Sequence, residues 1–440
     1  MLKPYLILAL IFSTIFSDLM AQEYSLAQAK EFAVQNHYKL LNADLDKKIA
    51  KKKIWETTSI GLPHVGANLS YRNALDLEFE FDDAALLAPG NEFLAVFGAD
   101  NVSQGKLQVD QLIFDGSYIV GLKASKTYYQ LREDQHQKTI QEVKKEVANA
   151  YHLVLVAERN VEILSEVVST LDANVKETKA LVENGFLEET ELDQLSLMQS
   201  KINTNLRNAE RNAMISKKML KLSMGMKLDQ ELKLTDRLED MISSTGLAAL
   251  SEETFNIGGN TDLQILNTQR ELAHLDLRRY KMQRLPTIAA YYQYQNTAYQ
   301  LEFDFYKDAS WLDAQNAGVV LNVPLWSSGG QGAKIKQARL ELEKVDNTLS
   351  YMESALQLQF ENIKSKLSAQ IANYQDAQKS LEVAEKIYSR ALLKQKEGMA
   401  TSFEVSQLHN QLLEAQGSYI NAVFELLNAR IELDAIQNKL

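Results

Sequence analysis

One stretch of this chain occurs twice. Asn184-Gly185-Phe186-Leu187-Glu188-Glu189-Thr190-Glu191-Leu192-Asp193-Gln194-Leu195 returns in step as Glu397-Gly398-Met399-Ala400-Thr401-Ser402-Phe403-Glu404-Val405-Ser406-Gln407-Leu408, at an offset of about 213 residues. The helical pattern ahead of each copy keeps the same offset. Val147, Val154, Val161, Val168 and Val175 match Phe360, Leu367, Tyr374, Leu381 and Tyr388. A duplicated unit with a glycine turn between two long helices constrains both halves to one plan.

That plan can be followed residue by residue. A helix is predicted over 25–57 and again over 261–283. Leu62-Pro63 and Leu285-Pro286 then stop it, because proline cannot continue a helix and biases its predecessor to extended geometry. Alternating segments follow. Val65, Ala67, Leu69 and Tyr71 stand against His64, Gly66, Asn68, Ser70 and Arg72; Ile288, Ala290, Tyr292 and Tyr294 stand against Thr287, Ala289, Gln293 and Gln295, with Tyr291 out of pattern. A second strand in each half holds Leu107, Val109 and Ile113, then Ala317, Val319, Leu321, Val323 and Leu325. Strands of about ten residues with alternate apolar and polar faces have the rhythm of a transmembrane barrel, although a soluble half-buried sheet gives the same signal per strand. Phe114-Asp115-Gly116 and Trp326-Ser327-Ser328-Gly329-Gly330 lead back into helices over 117–183 and 332–396, each reaching about 100 Å. Return helices start near Thr190 and Phe403.

Leu342, Leu349, Leu356 and Ile363 are spaced by seven, a period that specifies coiled-coil packing. Ala377, Ala384 and Ala391 take over that helix near the second glycine turn, where small residues let helices approach or simply favour helix. Only five prolines interrupt the whole 440-residue chain. Residues 224–260 read as an irregular connector, with Gly225, Gly246 and Gly258-Gly259 as its marks.

The first residues read as an export signal, with Lys3, an apolar run from Leu6 to Phe16 and a cleavage point after Ala21. No other segment is apolar and long enough to span a membrane as a helix. There are no cysteines, so disulfides, thiol chemistry and a lipid on cysteine are excluded. A net charge of -11 argues against a nucleic-acid partner, and Lys47-Lys48 with Lys51-Lys52-Lys53 reads as a solvated helix face. His37, His64, His136, His152, His274 and His409 show no ligand spacing, and no nucleophile turn or phosphate loop occurs, so neither an enzyme nor a cofactor is expected. The acidic loops Leu77–Asp83 and Leu301–Asp308 suit either solvent or a divalent cation.

Four strands cannot close a barrel, and an open sheet edge in lipid leaves backbone groups unsatisfied. The chain is therefore expected to associate until the sheet closes, with its helices continuing as a tube. The twofold plan, the Leu-Pro start of the strands, the aromatic-to-glycine exit into helix, and the spacing Gly185/Glu191/Leu192 and Gly398/Glu404/Val405 resemble the TolC-type outer-membrane efflux proteins.

That resemblance implies a mainly helical fold with a transmembrane β-barrel: a homotrimer sharing a twelve-stranded barrel in outer-membrane lipid, continued into the periplasm by an α-barrel of long coiled-coil helices. It implies repeats over 22–223 and 261–440, and passive passage of substrate from an inner-membrane pump through a periplasmic adaptor. It places Gly185, Phe186, Leu187, Gly398, Met399 and Ala400 at the periplasmic tip, where the tunnel closes and the adaptor docks. The family's constriction carboxylates fall at Glu404 and at Gln407, which is not acidic; Glu191 and Gln194 are the counterparts in the first copy. A basic residue of the family's tip falls at Ala400. Drug, metal and protein cargo all suit such a duct. A secreted coiled-coil scaffold with a soluble sheet is the alternative reading.

Overall fold

A computed structural model of the protein describes residues 22–74, 100–243, 255–300, 311–397 and 399–440. The signal segment, both acidic loops and Gly398 lie outside the described residues. The elements are β1 (Gln22–Tyr24), α1 (Leu26–Asn36), α2 (Tyr38–Ser59), β2 (His64–Asn73), β3 (Asn101–Phe114), α3 (Gly116–Glu183), α4 (Glu189–Met224), β4 (Leu232–Leu234), α5 (Leu238–Ser243), α6 (Thr261–Met282), β5 (Thr287–Gln300), β6 (Trp311–Asn322), α7 (Gly330–Lys396) and α8 (Ser402–Ile436). A short 3₁₀ turn at Ile257–Gly259 precedes α6. The chain divides into two compact units. One comprises residues up to Asp46, Glu133–Ile265 and Leu349–Leu440; the other comprises Lys47–Arg132 and Leu266–Thr348.

The second unit holds a four-stranded antiparallel sheet in the order β2-β3-β5-β6. Its register settles which residues share a face. Val65, Val109, Tyr292 and Ala317 form one cross-strand row, and Ala67, Leu107, Tyr294 and Gln315 the next. The opposite face carries the rows Gly66, Gln108, Gln293, Asn316 and Asn68, Lys106, Gln295, Ala314. Along that polar face Gln108 Nε2 donates to Asp110 Oδ1 (2.7 Å), Gln293 Nε2 to Gln295 Oε1 (3.0 Å) and Gln295 Nε2 to Thr297 Oγ1 (2.9 Å). The alternation read in each strand is thus held in register across all four. Tyr291, out of pattern in the sequence, pairs with Gly318; a Cβ there would lie 2.9 Å from its ring. The glycine makes room for the ring.

A bulge between Leu112 and Phe114 leaves Phe114 opposite Ile288. Two expectations for these elements need correction. β3 and β5 have 14 residues each, not about ten. β6 ends at Asn322, so Val323 and Leu325 lie beyond it, because Pro324 has no N–H to give the ladder.

The unit's helices meet the sheet through specific locks. Asp115 Oδ1 accepts from the Ser117 and Tyr118 amides (2.7 and 3.2 Å), capping α3. Tyr118 Oη donates to Thr58 O (3.2 Å), and its ring lies so close to Gly61 that a Cβ there would be 2.6 Å from Cζ. Leu277 of α6 packs with Ile335 and Ala338 of α7.

The first unit is helical around one large core. Val143, Val147, Tyr151 and Val154 of α3 pack with Leu220 and Met224 of α4, Phe360, Ile363 and Leu367 of α7, and Val423, Leu426 and Leu433 of α8. Val147, Val154, Phe360, Ile363 and Leu367 among them belong to the seven-residue rows of the sequence. A smaller cluster follows toward the first glycine turn: Val167 and Leu171 against Leu195, Met198 and Ile202, with Val168 and Val175 half-buried beside them. Of the three alanines near the second glycine turn, Ala391 is buried and Ala377 and Ala384 are half-buried.

Two further expectations fail in this unit. The helix over 25–57 is two helices, with a break at His37, whose ψ of 130° is extended. The break is held from outside. Gly225, at φ +75°, brings the end of α4 so close that a Cβ on it would lie 2.6 Å from the Asn36 carbonyl carbon and 2.9 Å from His37 Cα. His37 Nδ1 then accepts from the Lys39 amide (3.1 Å), and Lys39 Nζ pairs with Glu146 (2.7 Å). The described part of the connector also holds more regular structure than its glycines suggest. β4 pairs in parallel with β1, and Asp236 Oδ2 accepts from the Leu26 amide (2.7 Å) and from Tyr151 Oη (3.0 Å). Among the described residues no helix is long and apolar enough to cross a membrane.

A candidate functional site at the two glycine turns

Both turns lie in the first unit. At the end of α3, Gly185 sits at φ +74°, where an L side chain is strained. Its amide donates to Val182 O (2.9 Å) and the Phe186 amide to Leu181 O (2.9 Å), the paired bonds that end a helix at a left-handed residue. At the end of α7 the Met399 amide donates to Lys394 O (2.8 Å), the same span as Phe186 to Leu181. The two segments thus share this one closing bond.

They reopen into helix differently. Thr401, extended at φ -82° and ψ 156°, caps α8 with its hydroxyl accepting from the Glu404 amide (3.2 Å). Glu188 stands at the same place before α4 and gives no side-chain cap; its carboxylate takes a hydrogen bond from Thr190 Oγ1 (3.3 Å). Glu189 and Glu191 occupy the first turn of α4, and Glu404 that of α8, where a negative charge is favoured by the exposed amides.

The turns line one open cleft of about 610 Å³. Phe186, Leu187 and Glu191 enter from one turn, Met399, Ala400 and Glu404 from the other. Phe186 and Met399 are 77% and 69% exposed, so the cleft has an apolar rim that water covers in the single chain. Gln407 is exposed and lies outside the cleft lining. Of the three residues expected at a constriction, Glu191 and Glu404 are therefore brought together and Gln407 is not.

Sequence reading missed Asn174, Glu177, Thr178, Leu392 and Gln395, which also line the cleft. Their signal was available: Asn174, Glu177, Thr178 and Leu181 follow helical spacing into the turn and form one face of α3. Glu177 adds a third carboxylate. A cleft with three carboxylates beside exposed apolar side chains can attract cations and hold an amphipathic segment. Among the described residues no cluster suited to a metal ion occurs.

No protein-family profile matches the sequence, and no curated protein matches it. Solved structures do match. The outer-membrane protein VceC of Vibrio cholerae is 16% identical, with 94% of this chain and 96% of that one covered and a TM-score of 0.70. The outer-membrane channel CmeC of Campylobacter jejuni is 15% identical over 94% of this chain and 86% of that one, at 0.73. The outer-membrane channel MtrE of Neisseria gonorrhoeae, in its open state, is 14% identical over 94% and 88%, at 0.70.

Proposed function

We propose that this chain, which has the fold of the TolC-like outer-membrane channels, is the outer-membrane exit duct of a tripartite efflux or secretion assembly. The observation that carries the proposal is the sheet of the second unit. Its apolar rows and polar rows are in register across four strands, and among the described residues β2 and β6 each pair on one side only. Leu69 and Val319 on the apolar face are 87% and 66% exposed. A soluble sheet would leave these in water; lipid would cover them, and the polar face would line a wet lumen. This favours the duct over the scaffold.

Closure requires further copies. The unpaired edges call for a neighbour, and exposed apolar stripes supply contacts for one: Tyr38, Leu41, Leu45 and Ile49 on α2, and Leu340, Tyr351 and Leu358 on α7. Head-to-tail contact between the two edges generates a ring, and we take that ring to be a homotrimer with a twelve-stranded barrel. Residues 22–223 and 261–440 are then the two repeats, 224–260 the connector between them, and 1–21 the export signal. Substrate passes without chemistry by the duct itself, and neither cofactor nor nucleic acid takes part.

The cleft is the periplasmic mouth in this reading. Glu191 and Glu404 face the permeation path, and Gln407 contributes no charge. Glu404→Gln should lower the preference of the open channel for potassium over chloride, read as a shift of reversal potential in a planar bilayer; an unmoved potential would take Glu404 out of the path. The exposed rim of Phe186 and Met399 receives the periplasmic adaptor, with an inner-membrane pump behind it. In a chain without cysteine, Phe186→Cys and Met399→Cys should each crosslink to a cysteine-bearing adaptor hairpin. An assembled channel that crosslinks at neither position would refute docking there.

A further inference from the structure

Two histidines are buried among the described residues with neither ring nitrogen hydrogen-bonded to protein, His152 and His409. His152 follows Tyr151 in the large core, and burial, reinforced by Lys30, lowers its pKa to about 4. His409 has a different setting. It lies on α8 one turn beyond Val405, is 6% exposed, and its ring sits 4.9 Å from the Tyr388 ring of α7, tilted by 57°. The cavity beside it measures about 10 Å³, room for one water and no more.

Four helices meet at this cavity. They present Thr170 and Asn174 from α3, Met198 from α4, Tyr388 from α7 and Ser406 from α8, together with aliphatic side chains. Tyr388 is the only titratable group among those lining residues, and none of them carries charge at neutral pH. Ser406 commits its hydroxyl to Met198 Sδ (2.9 Å). The layer therefore offers an imidazolium no counter-charge, and little acceptor capacity beyond Asn174 and Thr170. It also adjoins the tip: Asn174 lines both this cavity and the cleft, and Leu392 of the cleft is one helical turn from Tyr388.

We propose that protonation of His409 loosens the four-helix layer beneath the tip cleft, so that acidification biases the two glycine turns apart. Burial holds the His409 imidazole below its ordinary value. In a loosened layer the ring meets water and returns to about 6.5. Below that pH the loosened state binds the extra proton, so the packed layer loses stability as pH falls from about 6.5 toward the lowered value. Above about 6.5 neither state holds the proton and packing keeps its full strength. Within the window the loosened population rises by up to about tenfold per pH unit. Opening as the consequence rests on the channel reading; loosening does not.

The test uses the assembled protein with Met399→Cys carrying a nitroxide, titrated from about pH 7.5 to about pH 5 with and without His409→Phe. The mobile spectral fraction should rise on acidification with His409 present and stay flat with phenylalanine. Glu177, Glu191 and Glu404 are common to both proteins, so their contribution cancels in the comparison. If His409→Phe fails to assemble, His409→Leu takes its place. An equal rise in both proteins, or none with His409 present, would overturn the inference. The same pair is then recorded in planar bilayers. Acid-dependent opening that needs His409 supports the full proposal; an unchanged acid response in the variant overturns it. A label that responds in a protein passing no current leaves the loosening standing and removes the channel reading instead.

Discussion

Gly225→Ala is expected to destabilise the protein far more than Gly185→Ala, although the two glycines have nearly the same backbone conformation, φ +75° and +74°. The conformational penalty alone is about 1 kcal/mol for either substitution. At Gly185 nothing lies within 4 Å of the new Cβ, so that penalty is the whole effect. At Gly225 the methyl group meets backbone, the Asn36 carbonyl and His37 Cα, which cannot rotate away. Overpacking against fixed atoms adds about 1–3 kcal/mol, and the displaced segment carries the His37 cap and the Lys39–Glu146 pair with it. Thermal unfolding of both purified variants measures the difference. Equal midpoints would mean that the close approach of α4 to the α1–α2 break contributes nothing.

The second large effect concerns the sheet. Leu107→Arg is expected to prevent recovery of the protein from the outer membrane, whereas Lys106→Gln, one residue away, should leave recovery unchanged. Leu107 shares its row with Ala67 and Tyr294; Lys106 shares its row with Asn68 and Gln295 on the other face. Both lie near the middle of β3. If this face meets lipid, as proposed, an arginine at mid-membrane costs about 2–4 kcal/mol in each chain, and a barrel shared by several copies would multiply it. Membrane fractions from cells expressing each variant decide the matter. Normal recovery of the arginine variant would place this face somewhere other than lipid.

Much of the fold was legible in the sequence because its signals are local or periodic. Pro63 and Pro286 end helices by covalent geometry, and β2 and β5 begin right after them at His64 and Thr287. Of the seven-residue rows from Val147 and Phe360, Val147, Val154, Phe360, Leu367 and Tyr374 are buried in the core of the first unit. What escaped depends on contacts distant in sequence. Nothing in the stretch from Leu26 to Ser59 announces a break at His37; the cause is Gly225, nearly two hundred residues later, whose glycine could be seen but whose neighbour could not. The pairing of β1 with β4 escaped for the same reason, since three-residue strands carry too little pattern. At the candidate site the repeated turns identified Phe186, Leu187, Met399 and Ala400, while Glu177 was overlooked because it precedes the repeat. Gln407 entered by analogy of spacing; it is exposed and stands outside the cleft lining. The difference between Thr401, which caps its helix, and Glu188, which does not, could be read directly from the two copies, and it makes the two turns chemically distinct.

The most direct measurement is a single-channel recording of the purified protein in a planar bilayer, paired with its assembled mass. The proposed duct should appear as a trimer that conducts in discrete steps and favours cations. A folded protein that remains a soluble monomer and produces no steps would contradict it.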